Sequence, residues 1–156
     1  MSEASFNLFS GDLEPGQFAG RAGYGWRNAQ VGKLLGAKAL GLSVYELDPG
    51  QRTFPYHYHL FREEWLLVLS GRPTLRSAEG EQVLEPGDVA VFPAGPDGAH
   101  QLRNDADEPA RIVLFSNQPA GDAAVYPDSQ KVGVMTKDAR ILVRAEPQVD
   151  YWDGEE

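Results

Sequence analysis

Apolar residues in this chain come in short runs that alternate with polar positions at a period of two, and glycine or proline punctuates most of the gaps. With 17 glycines and 11 prolines spaced this way, the pattern suits strands better than helices. The runs predict strands over Gln30 to Leu35, Leu40 to Leu47, Phe54 to His59, Glu64 to Ser70, Thr74 to Ser77 and Gln82 to Leu84. Further strands are expected over Val89 to Phe92, His100 to Asn104, Ala110 to Ser116, Lys131 to Val134 and Ile141 to Arg144. Such close spacing favours an all-β sandwich or barrel. The best helical competitor is Leu34 to Leu42, weakened by Gly36 and Gly41, so no long helix is expected. Asp48-Pro49-Gly50, Ser70-Gly71, Glu79-Gly80-Glu81 and Glu85-Pro86-Gly87-Asp88 supply reversals between runs. Residues 1–28 read as an irregular N-terminal arm with room for one edge strand, and residues 147–156 as a loose acidic tail.

Composition narrows the picture. At 156 residues and 42% hydrophobic, the chain supports one core and one domain. Fourteen basic against 23 acidic residues give a net charge of -9, which argues against nucleic acid and anionic membrane as partners. There is no cysteine, hence no disulfide, no thiolate ligand and no cysteine nucleophile. Any metal ligand must be nitrogen or oxygen. The first residues lack a signal-peptide pattern, and no apolar stretch approaches the roughly 20 residues of a membrane span, so a cytoplasmic protein is expected.

The three histidines fall at His57, His59 and His100. Side chains on a strand alternate faces, so His57 and His59 point the same way while Tyr58 points the other. In the next strand Glu64, Leu66 and Val68 share one face and Trp65, Leu67 and Leu69 the other, so a hairpin-like pairing can set Glu64 beside the two imidazoles. His100 shares a face with Leu102 and Asn104, but only tertiary closure can bring it to the others. Plainer readings stand beside this one. An isolated His-x-His is more often an ordinary strand pair, and a bulge would exchange Glu63 with Glu64. Asn104 suits a turn as well as the support of a metal ligand. Phe54, Tyr56, Tyr58, Trp65 and Phe92 suit a core or a subunit contact, with Phe92 and Tyr45 the pocket candidates. Gln101 should face away from the ligands, and Arg52 reads as a solvated loop arginine or a partner for an anionic substrate. Gly20-Arg-Ala-Gly23-Tyr-Gly25 lacks phosphate-loop spacing and belongs to the arm.

The segment from Pro49 to Asn104 resembles the cupin superfamily, small barrels marked by two sequence blocks. Gly50, His57, His59, Glu64 and Gly71 match the first block, with six residues rather than five after Gly50. Gly87, Pro93, Gly95, His100 and Asn104 match the second, with four residues, Pro96 to Ala99, where the family has two. This insertion keeps strand parity and should alter the loop more than the ligand. Pro55-Tyr-His-Tyr-His59, Glu63-Glu-Trp65 and Phe92-Pro-Ala-Gly95 also resemble a group of uncharacterised single-domain bacterial cupins. The resemblance implies a double-stranded β-helix, or jelly-roll barrel, over residues 29–146. It also implies one divalent transition metal (Mn, Fe, Ni, Co, Cu or Zn) held by His57, His59, Glu64 and His100. On an octahedral ion these four leave two positions for ligands; on tetrahedral zinc they close the shell. The implied activity is that of a metalloenzyme acting on a small polar organic molecule, with oxygenase or other redox chemistry preferred to sugar-phosphate isomerisation because no histidine remains as a base. The alternative is a non-catalytic binder of a sugar or metabolite. A homodimer formed through Trp65, Leu67 and Leu69 is expected.

Overall fold

The computed structural model describes residues 4–16 and 21–155, and within them the fold is built of thirteen strands and one short helix. The strands are β1 (Glu14–Pro15), β2 (Arg27–Ala29), β3 (Leu40–Leu47), β4 (Tyr58–His59), β5 (Glu64–Ser70), β6 (Thr74–Ser77) and β7 (Gly80–Val83). They continue as β8 (Val89–Phe92), β9 (His100–Arg103), β10 (Ala110–Asn117), β11 (Gly121–Tyr126), β12 (Lys131–Thr136) and β13 (Arg140–Arg144). Three antiparallel sheets result, ordered β1-β2-β3-β10-β5-β8, β13-β12-β11-β4 and β7-β6-β9. Neighbours distant in sequence, such as β3 with β10 and β6 with β9, give the crossing connections of a jelly roll, and the all-β expectation holds.

The period-two pattern sorts the six-stranded sheet into two faces. Leu47, Leu66, Val68, Ile112 and Leu114 point inward and meet Leu75, Leu84, Phe92 and Leu102 in the main core. The alternate residues Val44 and Val113 join Ala29 and Val31 on the other face, with Leu67, Leu69 and Phe115 packed against them. Phe6, Leu8 and Leu13 of the arm cover this second cluster. Leu67 and Leu69 are thus partly buried on this cluster, whereas Trp65 stacks on Phe115 and stays 37% exposed. Arg111 fastens the arm by donating to the carbonyls of Leu8 and Gly11.

Several expectations need correction. Gln30 to Leu35 is not a strand: Val31–Leu34 forms the helix α1, a single turn closed by the amides of Leu34 and Leu35 bonding to the carbonyls of Gln30 and Val31. Val31 and Gly32 are buried, and Gly32 lies so near β3 that an added Cβ would sit 3.0 Å from the Leu42 nitrogen. Tertiary packing overrides the strand preference of a valine here. Only Tyr58 and His59 of the run from Phe54 form a ladder, while His57 makes an isolated bridge to His100. β11 lies where no strand was expected. The arm carries two short strands, β1 and β2, which extend the large sheet beyond β3. Gly20 lies outside the described residues. Among the described residues no helix is long and apolar enough to cross a membrane.

Candidate metal centre

The two sequence blocks meet through backbone. The amide of His57 donates to the carbonyl of His100 and the amide of His100 to that of His57, while Gly95 donates to His59. His59 is placed independently, by pairing with Ala124 of β11, and Glu64 by pairing with Ser116 of β10 and Phe92 of β8. Because β5 is regular at this point, Glu64 shares the inner face with Leu66, as parity required. Glu63 lies outside, its carboxylate accepting from the Trp65 indole and its amide donating to Asn117.

Donor atoms of His57, His59 and Glu64 lie within 4.8 Å of one another. His57 Nε2 and His59 Nε2 are 3.2 Å apart, His59 Nε2 and Glu64 Oε2 3.3 Å, and His100 Nε2 and Glu64 Oε2 3.5 Å. Donors about 2.1 Å from a shared ion stand about 3.0–3.4 Å apart, so these spacings fit the coordination shell of a first-row divalent metal.

The opposite ring nitrogens decide what the cluster offers. His57 Nδ1 is 2.8 Å from the Pro55 carbonyl and His100 Nδ1 is 2.9 Å from the Gly98 carbonyl. A carbonyl only accepts, so both Nδ1 atoms carry the proton and both Nε2 atoms present lone pairs. His59 Nδ1 faces the buried Asp122 carboxylate at 2.5 Å, which fixes its third Nε2 in the same sense. Three lone pairs and a carboxylate thus converge, a donor set that needs a cation.

The proton affinities agree. Burial, reinforced by the neighbouring imidazoles, pushes His57 down to about 3, and burial also lowers His100. Burial pulls His59 the same way, but the hydrogen bond and charge of Glu64, with Asp122 behind, leave it raised. Burial would raise Glu64, yet the bond from His59 and the surrounding imidazoles hold it down to about 2. His59 is therefore the imidazole that takes up a proton first, and an ion competes with that proton for its Nε2.

Aromatic rings enclose the cluster. Phe92 stacks on His100 at 3.8 Å, Tyr126 stacks on His57 at 5.8 Å, and Phe54 meets His57 edge-on. Phe92 thus belongs to the site wall, while Tyr56 instead carries the Arg76 guanidinium 3.9 Å above its ring. Asn104 takes the turn role, donating to the carbonyls of Leu47 and Glu108 and accepting from Ala106. Gln101 faces away and bonds the Phe54 carbonyl. Arg52 lies under the arm, over the Tyr24 ring, and takes no part in the centre.

Four contributors were not foreseen: Asp122, Arg62, Tyr126 and the inserted loop. Pro96 to Ala99 forms a 3-10 turn over Pro96–Gly98 whose Gly98 carbonyl orients His100. An added Cβ at Gly98 would lie 1.9 Å from the Pro93 carbonyl oxygen, so the turn is built on the absence of a side chain. Val125 and Tyr126 ahead of Pro127-Asp128-Ser129 were the available signal for β11, and hence for Asp122.

Residues 43–116 match the family described as Cupin domain. A solved structure described as a sugar phosphate isomerase from a cupin superfamily, from Silicibacter pomeroyi, is 25% identical with a TM-score of 0.80, covering 96% of this chain and 98% of that one. One described as a putative sugar phosphate isomerase, from Acidithiobacillus ferrooxidans, is 28% identical with a TM-score of 0.76, covering 82% of each chain. A polyketide cyclase from Streptomyces resistomycificus shares the fold at 20% identity and a TM-score of 0.57, covering 68% of this chain and 72% of that one. No curated protein matches the chain.

Proposed function

The chain belongs to the cupin superfamily, and from that footing we propose that it is a metal-dependent enzyme acting on a small, oxygen-rich organic molecule. The observation that carries this reading is the convergence of three Nε2 atoms and the Glu64 carboxylate, each imidazole being held from behind at Nδ1 by Pro55, Asp122 or Gly98. His57, His59, Glu64 and His100 would hold one divalent transition metal. Such an ion supplies Lewis-acid polarisation of a substrate carbonyl or hydroxyl. The chain's own part is to present unprotonated donors, to fix their tautomers, and to wall the centre with Phe54, Phe92 and Tyr126.

Two reaction classes divide on different observations. The descriptions of the Silicibacter and Acidithiobacillus structures, which cover most of this chain, support isomerisation of a hydroxy-carbonyl sugar derivative. The oxygenase reading is favoured by the commitment of the imidazoles: all three point at the centre, and Asp122 behind them is engaged by His59. Isomerisation needs a free base near the substrate.

The test begins with elemental analysis of protein purified without chelators or a metal-affinity step. About one ion per chain is expected in the wild type and none in Glu64→Gln. Loaded protein is then incubated with aldose and ketose phosphates in deuterated water, and in parallel with diketones and phenols under an oxygen electrode. Deuterium entering the sugar supports the isomerase, oxygen uptake the oxygenase. A wild type that takes up no ion would overturn the whole reading.

A further inference from the structure

Arg62 lies on the loop between His59 and Glu64, and neither the fold nor the metal ligation accounts for it. Its guanidinium turns back over the donors: Nη1 is 4.0 Å from Glu64 Oε1, Nε is 3.5 Å from Asp122 Oδ2, and the side chain is 26% exposed. Nε is fully buried and donates no hydrogen bond, and Nη1 is held only at ion-pair range. The two carboxylates do not need it. Asp122 Oδ2 is taken by His59 and Oδ1 accepts from the Phe61 amide at 3.3 Å, while Glu64 Oε2 faces His59 and His100.

Nε is spent at ion-pair range on Asp122, which leaves the part-exposed Nη edge beside Glu64, and such a planar edge is a fork that suits a carboxylate or phosphate. Charge points the same way. With a divalent ion on the donors, Glu64 and Asp122 cancel its charge and the imidazoles are neutral, so the charge of Arg62 is left over. The rings of Phe92 and Tyr126 lie against His100 and His57, so the wall of the centre they form offers no charge.

We propose that Arg62 is the anion-recognition residue of this centre, receiving the oxyanion of a substrate, carboxylate or phosphate, that also ligates the metal. This rests on the metal-centre reading above and adds to it that the substrate is an anion with its charged group beside the ion, not at the far end of a long chain.

The test compares metal-loaded wild type, Arg62→Gln and Arg62→Lys by titration calorimetry, with metal content measured for each. Probes are glycolate, inorganic phosphate and neutral ethane-1,2-diol. Arg62→Gln is expected to keep its ion and to bind glycolate or phosphate about 10- to 100-fold more weakly, as loss of a charge-assisted pair implies, with ethane-1,2-diol unaffected. Arg62→Lys, which keeps the charge and loses the fork, should fall between. A loss confined to glycolate identifies a carboxylate substrate, and one confined to phosphate identifies a phosphate ester. Equal anion affinity in wild type and Arg62→Gln, or no anion binding by loaded wild type, would overturn the proposal while leaving the metal centre standing. Loss of the ion from Arg62→Gln would also overturn it, by making Arg62 a support of the metal ligands. A wild type that takes up no ion removes both readings together.

Discussion

Replacing Asp122 by Asn tests whether the orientation of His59, rather than its presence alone, sets metal affinity. Asp122 is 4% exposed, its Oδ2 lies 2.5 Å from His59 Nδ1, and its Oδ1 lies 3.3 Å from the Phe61 amide. The amide has the same volume but a single acceptor oxygen. Whichever way it turns, its NH2 faces one of those two donors. A charge-assisted bond therefore becomes a neutral one of about half the strength, or is lost. Changes of this kind behind a metal-bound histidine weaken metal affinity about 10- to 100-fold, or about 1.4–2.7 kcal/mol. The pH dependence is diagnostic. Asp122 also raises the proton affinity of His59, so in the variant both the ion and its competing proton bind less well. Below the His59 pKa the two losses partly cancel; above it the full loss shows. The ratio of wild-type to Asp122→Asn affinity for Co2+ or Mn2+, measured by competition with a chelating dye, should rise with pH and level off once His59 has lost its proton. A ratio near one throughout, or one that falls with pH, in a variant with unchanged circular dichroism would refute the reasoning.

Two other outcomes follow from the same geometry. At pH 6 the uptake of one ion should release about one proton, from His59, whose pKa is raised, because His57 at about 3 and Glu64 at about 2 hold none to release. Calorimetry in buffers of different ionisation enthalpy counts it, and metal affinity should fall about tenfold per unit as pH drops further toward 3; release of two or more protons would contradict the assignment. Gly98→Ala should cost about 1–3 kcal/mol in urea unfolding and also weaken metal binding, since the Pro93 carbonyl must move and the Gly98 carbonyl behind His100 moves with it. Gly50→Ala, where φ is +76° and nothing stands within 4 Å of the added Cβ, should cost about 1 kcal/mol and leave the affinity alone; equal metal affinity in the two variants would disconnect the inserted turn from His100.

Parity carried most of what the sequence could say about the centre. Glu64 shares a face with Leu66 by alternation along β5, with no bulge at the start of that strand, whereas His57 lies just before β4 and is held by its bridge to His100 as well as by alternation with His59. The bounds of β5, β6 and β8 were legible from the same alternation, but not the pairing: the expected hairpin between the His57–His59 segment and the Glu64 strand does not form, because β5 lies between β10 and β8 while β4 pairs with β11 in another sheet. β11 was not, because Asp122, Ala123 and Ala124 are all buried and small or polar, which erases the apolar alternation a strand on a half-solvated sheet would show. With β11 went the partner of His59. α1 misled in the opposite way: a single helical turn is shorter than the window over which a 3.6-residue period can be told from an apolar run. Closure of His57 onto His100 is a contact between residues far apart in the chain, and the family resemblance, not any local pattern, pointed to it.

The four donors arrive from three separately hydrogen-bonded sheets: His59 on β4, Glu64 on β5 and His100 on β9, with His57 bridged to the last. The centre therefore works as a gauge of how the sheets are seated on one another, and freedom to diversify is shared out unequally around the barrel. The exposed turn over residues 105–109 joins the ends of β9 and β10 that lie away from His100 and from the Ser116 paired with Glu64, and it can lengthen with little effect on the donors. The stretch from Pro93 to Ala99 and the strand β11 sit in the line of fit, so a residue gained or lost there shifts one sheet's contribution against the other two. Redesign of this scaffold has its tolerances written in that division: loop grafts belong on the turn between β9 and β10, and changes in chemistry belong at Arg62, which borders the centre while lying outside every ladder.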